Sequence, residues 1–191
     1  MSNIASRLIL FPFLILVITV HEFAHALAAY LLGDQTAKLS GRLTLNPLSH
    51  LDPIGSLMMI VAGFGWGKPV PFNPLNLRKP IRDSAIIAFS GPASNFLLAT
   101  VLSIVFHFFP SSQLLLLISL NLGLGFFNLL PIHPLDGFKV VTGILPRDLA
   151  ISFSETSRYG MIFLLILLFS GIFNAIFFPL INAFLRLLTG V

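Results

Sequence analysis

The chain has 191 residues, 56 % hydrophobic and only 9 % charged, with a mean hydropathy of +0.96, whereas soluble domains carry roughly a quarter of charged residues. This excludes an ordinary soluble globular protein and an intrinsically disordered one. The net charge of +4 comes from basic residues spread singly among loops, which argues against nucleic acid as a partner, and the absence of cysteine removes disulfides, cysteine zinc sites and thiol nucleophiles.

A helix needs about 20 apolar residues to cross the hydrocarbon layer of a bilayer. Residues 8–32 predict the first such span, too long for a signal-peptide core and lacking a small-residue cleavage site. Residues 33–83 read as a loop rich in Pro, Gly and basic residues, whose one apolar run, Ile54 to Phe64, is too short to cross alone and is expected to be re-entrant. Inside that loop Ala37, Leu39, Gly41, Leu43 and Leu45 alternate with Lys38, Ser40, Arg42 and Thr44, a period of two that predicts a half-buried strand. Such an edge can pair with an unwound peptide. Gly63 to Gly67 reads as an interfacial loop anchored by Trp66. Further spans follow at 84–109, which stops before Pro110, at 114–133, and at 159–188, which Pro179 interrupts. The expected fold is an all-α polytopic membrane protein with about four transmembrane helices plus a re-entrant or β-strand-containing loop, one membrane-embedded domain over 1–191.

Orientation follows from Lys and Arg, which short loops retain on the cytoplasmic side. Lys38, Arg42, Lys68, Arg78, Lys79, Arg82, Lys139, Arg147 and Arg158 fall in the two candidate cytoplasmic loops, against Arg7 and Arg186 at the opposite ends. This places the chain in the cell's inner or plasma membrane with both termini outside. It also puts the ends of spans one and three, near His25 and Pro131, toward the cytoplasm.

Glu22 lies inside the first apolar run, where an ionised side chain costs roughly 2.5 to 3.5 kcal/mol on insertion scales, so it calls for a partner. The partners are beside it. His21-Glu22-Phe23-Ala24-His25 is an H-E-x-x-H pattern, and four residues of helix leave both imidazoles on one face about a turn apart, able to converge on one zinc ion. Zinc lowers the pKa of bound water toward about 7, and the adjacent glutamate can take the proton. A catalytic zinc takes a third protein ligand. Asp136 is the candidate, in Asn128-Leu129-Leu130-Pro131-Ile132-His133-Pro134-Leu135-Asp136-Gly137, where two prolines break the helix at the face to which the basic residues assign His25. The bland readings are an interhelical hydrogen bonder for each histidine and a solvated turn carboxylate for Asp136. A transporter or metal or proton relay built on the same His/Glu cluster is the alternative function, and a haem-binding or structural subunit a third. His133 reads as a second contact near the metal or a polar residue at the loop edge, and His50 and His107 as satisfied polar residues, His107 at the interface near Pro110.

The stretches HEFAHALAAYLLGD, GRLTLNPLSHLDPIGSL, GWGKPVPFNPLNLR, GPASN and NLLPIHPLDG stand in the order and spacing of the site-2 protease family, so the chain resembles those intramembrane zinc metalloproteases over most of residues 8–140. The resemblance implies the short bacterial or archaeal type without PDZ or CBS domains. It further implies one zinc ion held by His21, His25 and Asp136, Glu22 as general base, and cleavage of peptide bonds within or beside a transmembrane helix of a membrane-protein substrate. Asn95 and Asn128 match family motifs and could offer amide donors to an oxyanion. Their simpler reading, with Gly91 and Ser94, is close packing between helices.

Overall fold

The computed structural model describes residues 4–63 and 65–191; Phe64, the end of the run expected to be re-entrant, lies outside the described residues. Nine α-helices follow one another among them: α1 (Ile4–Leu31), α2 (Thr36–Leu39), α3 (Pro53–Val61), α4 (Pro80–Phe108), α5 (Ser112–Asn128), α6 (Asp136–Ile144), α7 (Arg147–Glu155), α8 (Ser157–Phe169) and α9 (Ile172–Thr189). The long helix α4 is the centre of the bundle and packs against α1, α5, α6 and α9. Ala99 and Phe106 of α4 meet Ile118 and Leu122 of α5 in one buried cluster, joined from α9 by Ile181, Leu185 and Leu188. A second cluster, Ala29, Leu77 and Ile87, locks the end of α1 to α4. Large apolar side chains such as Ile9, Leu97, Ile104 and Phe169 are left facing outward, as expected of a surface that meets lipid rather than water.

Three helices, α1, α4 and α9, are long and apolar enough to cross a membrane, or up to four spans if α7 and α8, bent by 61°, are taken as one. The expected span at 114–133 is the shorter apolar helix α5, which stops at Asn128. The expected span at 159–188 is divided between α8 and α9. The break is not at Pro179, which sits inside α9, but at Gly171, whose φ of +78° ends the preceding helical path.

The strand expected over 37–45 is absent, and no strand occurs among the described residues. The alternation there comes from a single helical turn followed by a reversal. Asp34 accepts hydrogen bonds from the Thr36 N–H at 3.1 Å and its hydroxyl at 2.6 Å, which starts α2, and Gly41, with φ of +67°, turns the chain back after it. The segment that follows is a short helical excursion. Asp52 accepts from the Gly55 N–H at 2.7 Å and Pro53 occupies the first helical position, so α3 begins with a capped end. Its last carbonyls, of Ile60 and Val61, receive the guanidinium of Arg7 from α1. A bridge between Leu51 and Gly67 and a 2.8 Å hydrogen bond from Lys68 N–H to the His50 carbonyl bring the two ends of the excursion together.

Asp34 joins the end of α1 to the entry of α4. Besides Thr36 it accepts from the Asn73 N–H at 2.7 Å and Asn76 Nδ2 at 2.8 Å. Burial opposes its charge, but these hydrogen bonds outweigh burial and hold the carboxyl below its ordinary pKa. A lowered folded-state pKa gives stability that is complete above the unfolded value of about 3.9 and is lost as the pH falls through the folded value. Asp34→Ala is therefore expected to cost about 2–3 kcal/mol at neutral pH. The gap in melting temperature from the unaltered protein should close on acidification below about pH 4.

Candidate metal centre

The site is built where α1, α4 and the start of α6 meet. His21 and His25 lie one turn apart on α1, their rings edge-on with centroids 4.6 Å apart and planes at 86°. Beyond α5, Pro131 and Pro134 forbid a continuing helix, and the chain turns to begin α6 at Asp136. Its Oδ2 lies 3.1 Å from His21 Nε2 and 3.2 Å from His25 Nε2. The two Nε2 atoms are 3.0 Å apart.

The hydrogen bonds behind the rings fix where the protons are. The Ile87 carbonyl of α4, 2.7 Å from His25 Nδ1, can only accept, so Nδ1 carries a hydrogen and Nε2 is the nitrogen turned toward the cluster. For His21 the same conclusion travels along a chain. Asn121 Nδ2 of α5 donates to the Leu117 carbonyl at 2.8 Å, which turns Asn121 Oδ1 toward Asn95 Nδ2 at 3.0 Å. Asn95 Oδ1 is thereby left to accept from His21 Nδ1 at 2.6 Å. Both asparagines are fully buried.

Two imidazole nitrogens and a carboxylate oxygen thus face one point. Each can offer a lone pair to a cation held there. Tetrahedral ligands about 2.0–2.1 Å from zinc stand about 3.3 Å apart, close to the 3.0–3.2 Å separations here. Two imidazoles and a carboxylate suit zinc and leave a fourth position for water or substrate. No other cluster of three His, Asp or Glu side chains that could hold a metal occurs among the described residues.

Glu22 is beside this point, its Oε2 accepting from the Val70 N–H at 3.0 Å. It lines a cavity of about 390 Å³ together with the metal-site side chains and Ile18, Trp66, Phe72, Phe127 and Asn128. Lys139 lies over the Phe72 ring, 4.8 Å from its centroid. Asn128 donates one amide hydrogen to the Leu124 carbonyl at 3.1 Å, leaving its other for the cavity. Asn95 departs from the expectation of an oxyanion donor: both ends of its amide are engaged by His21 and Asn121, and it is not part of the cavity wall. His133 is outside the cluster, its ring edge-on to Phe138 with centroids 5.6 Å apart. His50 and His107 bond backbone carbonyls, of Thr44 at 2.8 Å and Ser103 at 2.7 Å.

Gly91, read from the sequence as a close-packing residue, permits the contact of α4 with the imidazoles, because a Cβ there would meet His25 Nε2 and stand 2.6 Å from His21 Cε1. Two contributors escape sequence reasoning. Asn121 was detectable only as an isolated amide in an apolar helix. Val70 contributes a backbone N–H, which its side chain does not announce.

Peptidase family M50 matches the chain over residues 107–170. YwhC of Bacillus subtilis (strain 168) is 37 % identical over 192 residues, covering 91 % of this chain and 88 % of its own. The chain belongs to peptidase family M50. Rip2 of Mycolicibacterium smegmatis is 31 % identical over 86 % of the chain and 68 % of its own length, and MJ0392 of Methanocaldococcus jannaschii is 29 % identical over 77 % and 37 %. All three names carry the words zinc metalloprotease. No solved structure matches. The M50 protein is accordingly a zinc metalloprotease with membrane-crossing helices, of the site-2 protease group its motifs resemble.

The contacts behind the rings give a direct test. Outer hydrogen bonds to metal ligands are worth about 10–100-fold in metal affinity. Asn121→Leu should weaken zinc binding by that amount, read by competition with a chelator. Gly91→Ala should abolish stoichiometric zinc, although alanine is favoured over glycine in a helix by about 0.5–1 kcal/mol.

Proposed function

We propose that this M50 protease is an intramembrane endopeptidase that binds one zinc ion through His21, His25 and Asp136 and cleaves a peptide bond within or beside a transmembrane helix of a membrane-protein substrate. The observation that carries this reading is the convergence of three ligand atoms, with the Glu22 carboxylate beside them, on a cavity inside a bundle of membrane-crossing helices. His25 is six residues, about 9 Å, from the end of α1, near enough to the bilayer surface for water to arrive. The distribution of basic residues supports a cytoplasmic side for that end. Intramembrane proteolysis of a regulatory substrate is the biological setting that fits.

When bound, zinc supplies Lewis acidity, polarising the scissile carbonyl and making water acidic enough to lose a proton near neutral pH. The protein does the rest. Glu22 takes that proton as the water oxygen bonds to the carbonyl carbon, and the spare Asn128 amide hydrogen meets the charge developing on the carbonyl oxygen. The carbon–nitrogen bond then breaks, and Glu22 returns the proton to the departing amine. Asn95 acts through His21, fixing its tautomer and ring plane. The apolar walls, Ile18, Phe72 and Phe127 among them, accept an extended apolar segment. A helical peptide bond is shielded by its own hydrogen bonds, so the substrate has to be unwound at the site of attack.

The test uses the purified protein with a transmembrane-helix substrate. Glu22→Gln is expected to keep its zinc and lose cleavage by at least about 10²-fold, and Asp136→Ala to lose both zinc and cleavage. Undiminished cleavage by Glu22→Gln, or full zinc in Asp136→Ala, would overturn these roles.

A further inference from the structure

Arg42 is a buried cation without a carboxylate against it. It is only 5 % exposed, and among the described residues no Asp or Glu lies within 4.0 Å of its guanidinium. Its Nε has no hydrogen-bond partner. Burying a charge without an ion-pair partner is unfavourable, so stability alone gives no reason for an arginine here. Burial lowers its pKa from the ordinary arginine value, and the negative charge of Glu22 opposes that lowering, which makes the glutamate the carboxylate that Arg42 feels.

One hydrogen bond says what the guanidinium holds. Arg42 is fixed at its own backbone by its N–H to the Ala37 carbonyl at 2.8 Å, and Nη2 reaches across 26 residues to the Lys68 carbonyl. Lys68 is pinned on its other side as well, by its N–H to the His50 carbonyl at 2.8 Å and by the neighbouring Leu51–Gly67 bridge. The next residues are Pro69, Val70 and Pro71. Each proline fixes its own φ, offers no N–H and confines the residue before it to extended backbone. The strap from Lys68 to Pro71 is therefore stiff, and its one N–H after Lys68 is that of Val70, which Glu22 accepts at 3.0 Å. An orientation set at Lys68 is carried two residues along to the glutamate.

We propose that Arg42 is a positioning residue for the reaction: by holding the Lys68 carbonyl it aims the Val70 N–H, which in turn keeps the Glu22 carboxylate facing the His21, His25 and Asp136 ligand atoms. This rests on the reading of Glu22 as the base. It gives one purpose to two stretches that the zinc ligands leave unexplained, Gly41 to Leu57 and Gly65 to Arg78: the first supplies the arginine and the His50 anchor, the second the strap. It also makes the side-chain charge of Arg42 secondary to its reach and its planar donors.

The experiment is a double-mutant cycle on cleavage, scored per zinc-loaded molecule so that a variant that folds poorly is still measured. The variants are Arg42→Gln, Arg42→Lys, Val70→Pro, which removes the N–H that Glu22 accepts, and the pair Arg42→Gln with Val70→Pro. Misplacing a reacting group by about 1 Å costs on the order of 10²-fold. Arg42→Gln is expected to lower kcat by 10- to 100-fold with KM changed less than about threefold, and Val70→Pro to do the same. The double variant should be no slower than the slower single one, and Arg42→Lys, which retains a donor, should recover part of the loss. Effects that multiply in the double variant, an unchanged kcat in Arg42→Gln, or a loss accounted for by missing zinc would each overturn the proposal. Glu22→Gln run alongside separates the two readings. If it is inactive while Arg42→Gln is not, only the role of Arg42 fails, whereas normal cleavage by Glu22→Gln removes the base itself.

Discussion

The meeting of two imidazoles and a carboxylate at one point inside an apolar bundle is the constraint on which the rest of this structure depends. His21 Nε2, His25 Nε2 and Asp136 Oδ2 stand 3.0–3.2 Å apart, and ionisable groups buried so close together need a positive charge among them. The fold meets that constraint with rigid backbone. The Ile87 carbonyl on α4 sets one imidazole directly, and the Leu117 carbonyl on α5 sets the other through two buried amides. α4 stands at the centre of the bundle because it has to touch both histidines, receive α5 and carry α6. Gly91 is the position that lets it come so close.

The loop between α1 and α4 performs a different task. It contains little regular structure, yet its polar groups are mostly spoken for: Asp34 gathers its two ends, Asp52 caps α3, Arg7 receives the carbonyls at the far end, and the His50 carbonyl takes the Lys68 N–H. Irregular backbone is tolerated at membrane depth where protein or a water-filled cavity satisfies it. Here the same satisfaction delivers an N–H to Glu22 and an apolar wall to the cavity.

What could be read from the sequence divides along physical lines. The metal cluster was legible because each part of its signal is local: an imidazole repeated after one helical turn, a carboxylate where an apolar run makes charge costly, and paired prolines that bring Asp136 to a helix start. The strand at 37–45 was misread because alternation over nine residues does not distinguish an extended chain from a turn of helix with a reversal, and the deciding partner, Asp34, acts through its side chain. In the run from 159 to 188 the sequence points to Pro179 as the interruption, whereas Gly171 breaks it and Pro179 is accommodated inside α9. For Asn95 the sequence leaves an oxyanion donor and an interhelical contact both open, and nothing in its motif says that Asn121, on another helix, occupies its other end. Arg42 was counted as one more loop charge. Its burial depends on the return of the chain at Lys68, a contact 26 residues away that no local pattern encodes.

The central claim is that two histidines and one aspartate converge on a single zinc ion. X-ray absorption at the zinc edge of the purified protein, loaded to its full capacity, tests this most directly because it counts imidazoles and measures ligand distances without requiring a substrate. The expected result is one zinc per chain in a four-coordinate shell of nitrogen and oxygen at about 2.0–2.1 Å, with the multiple scattering of two imidazole rings. Three rings, which would bring His133 into the shell, or zinc that Asp136→Ala leaves unchanged in both amount and spectrum, would contradict it.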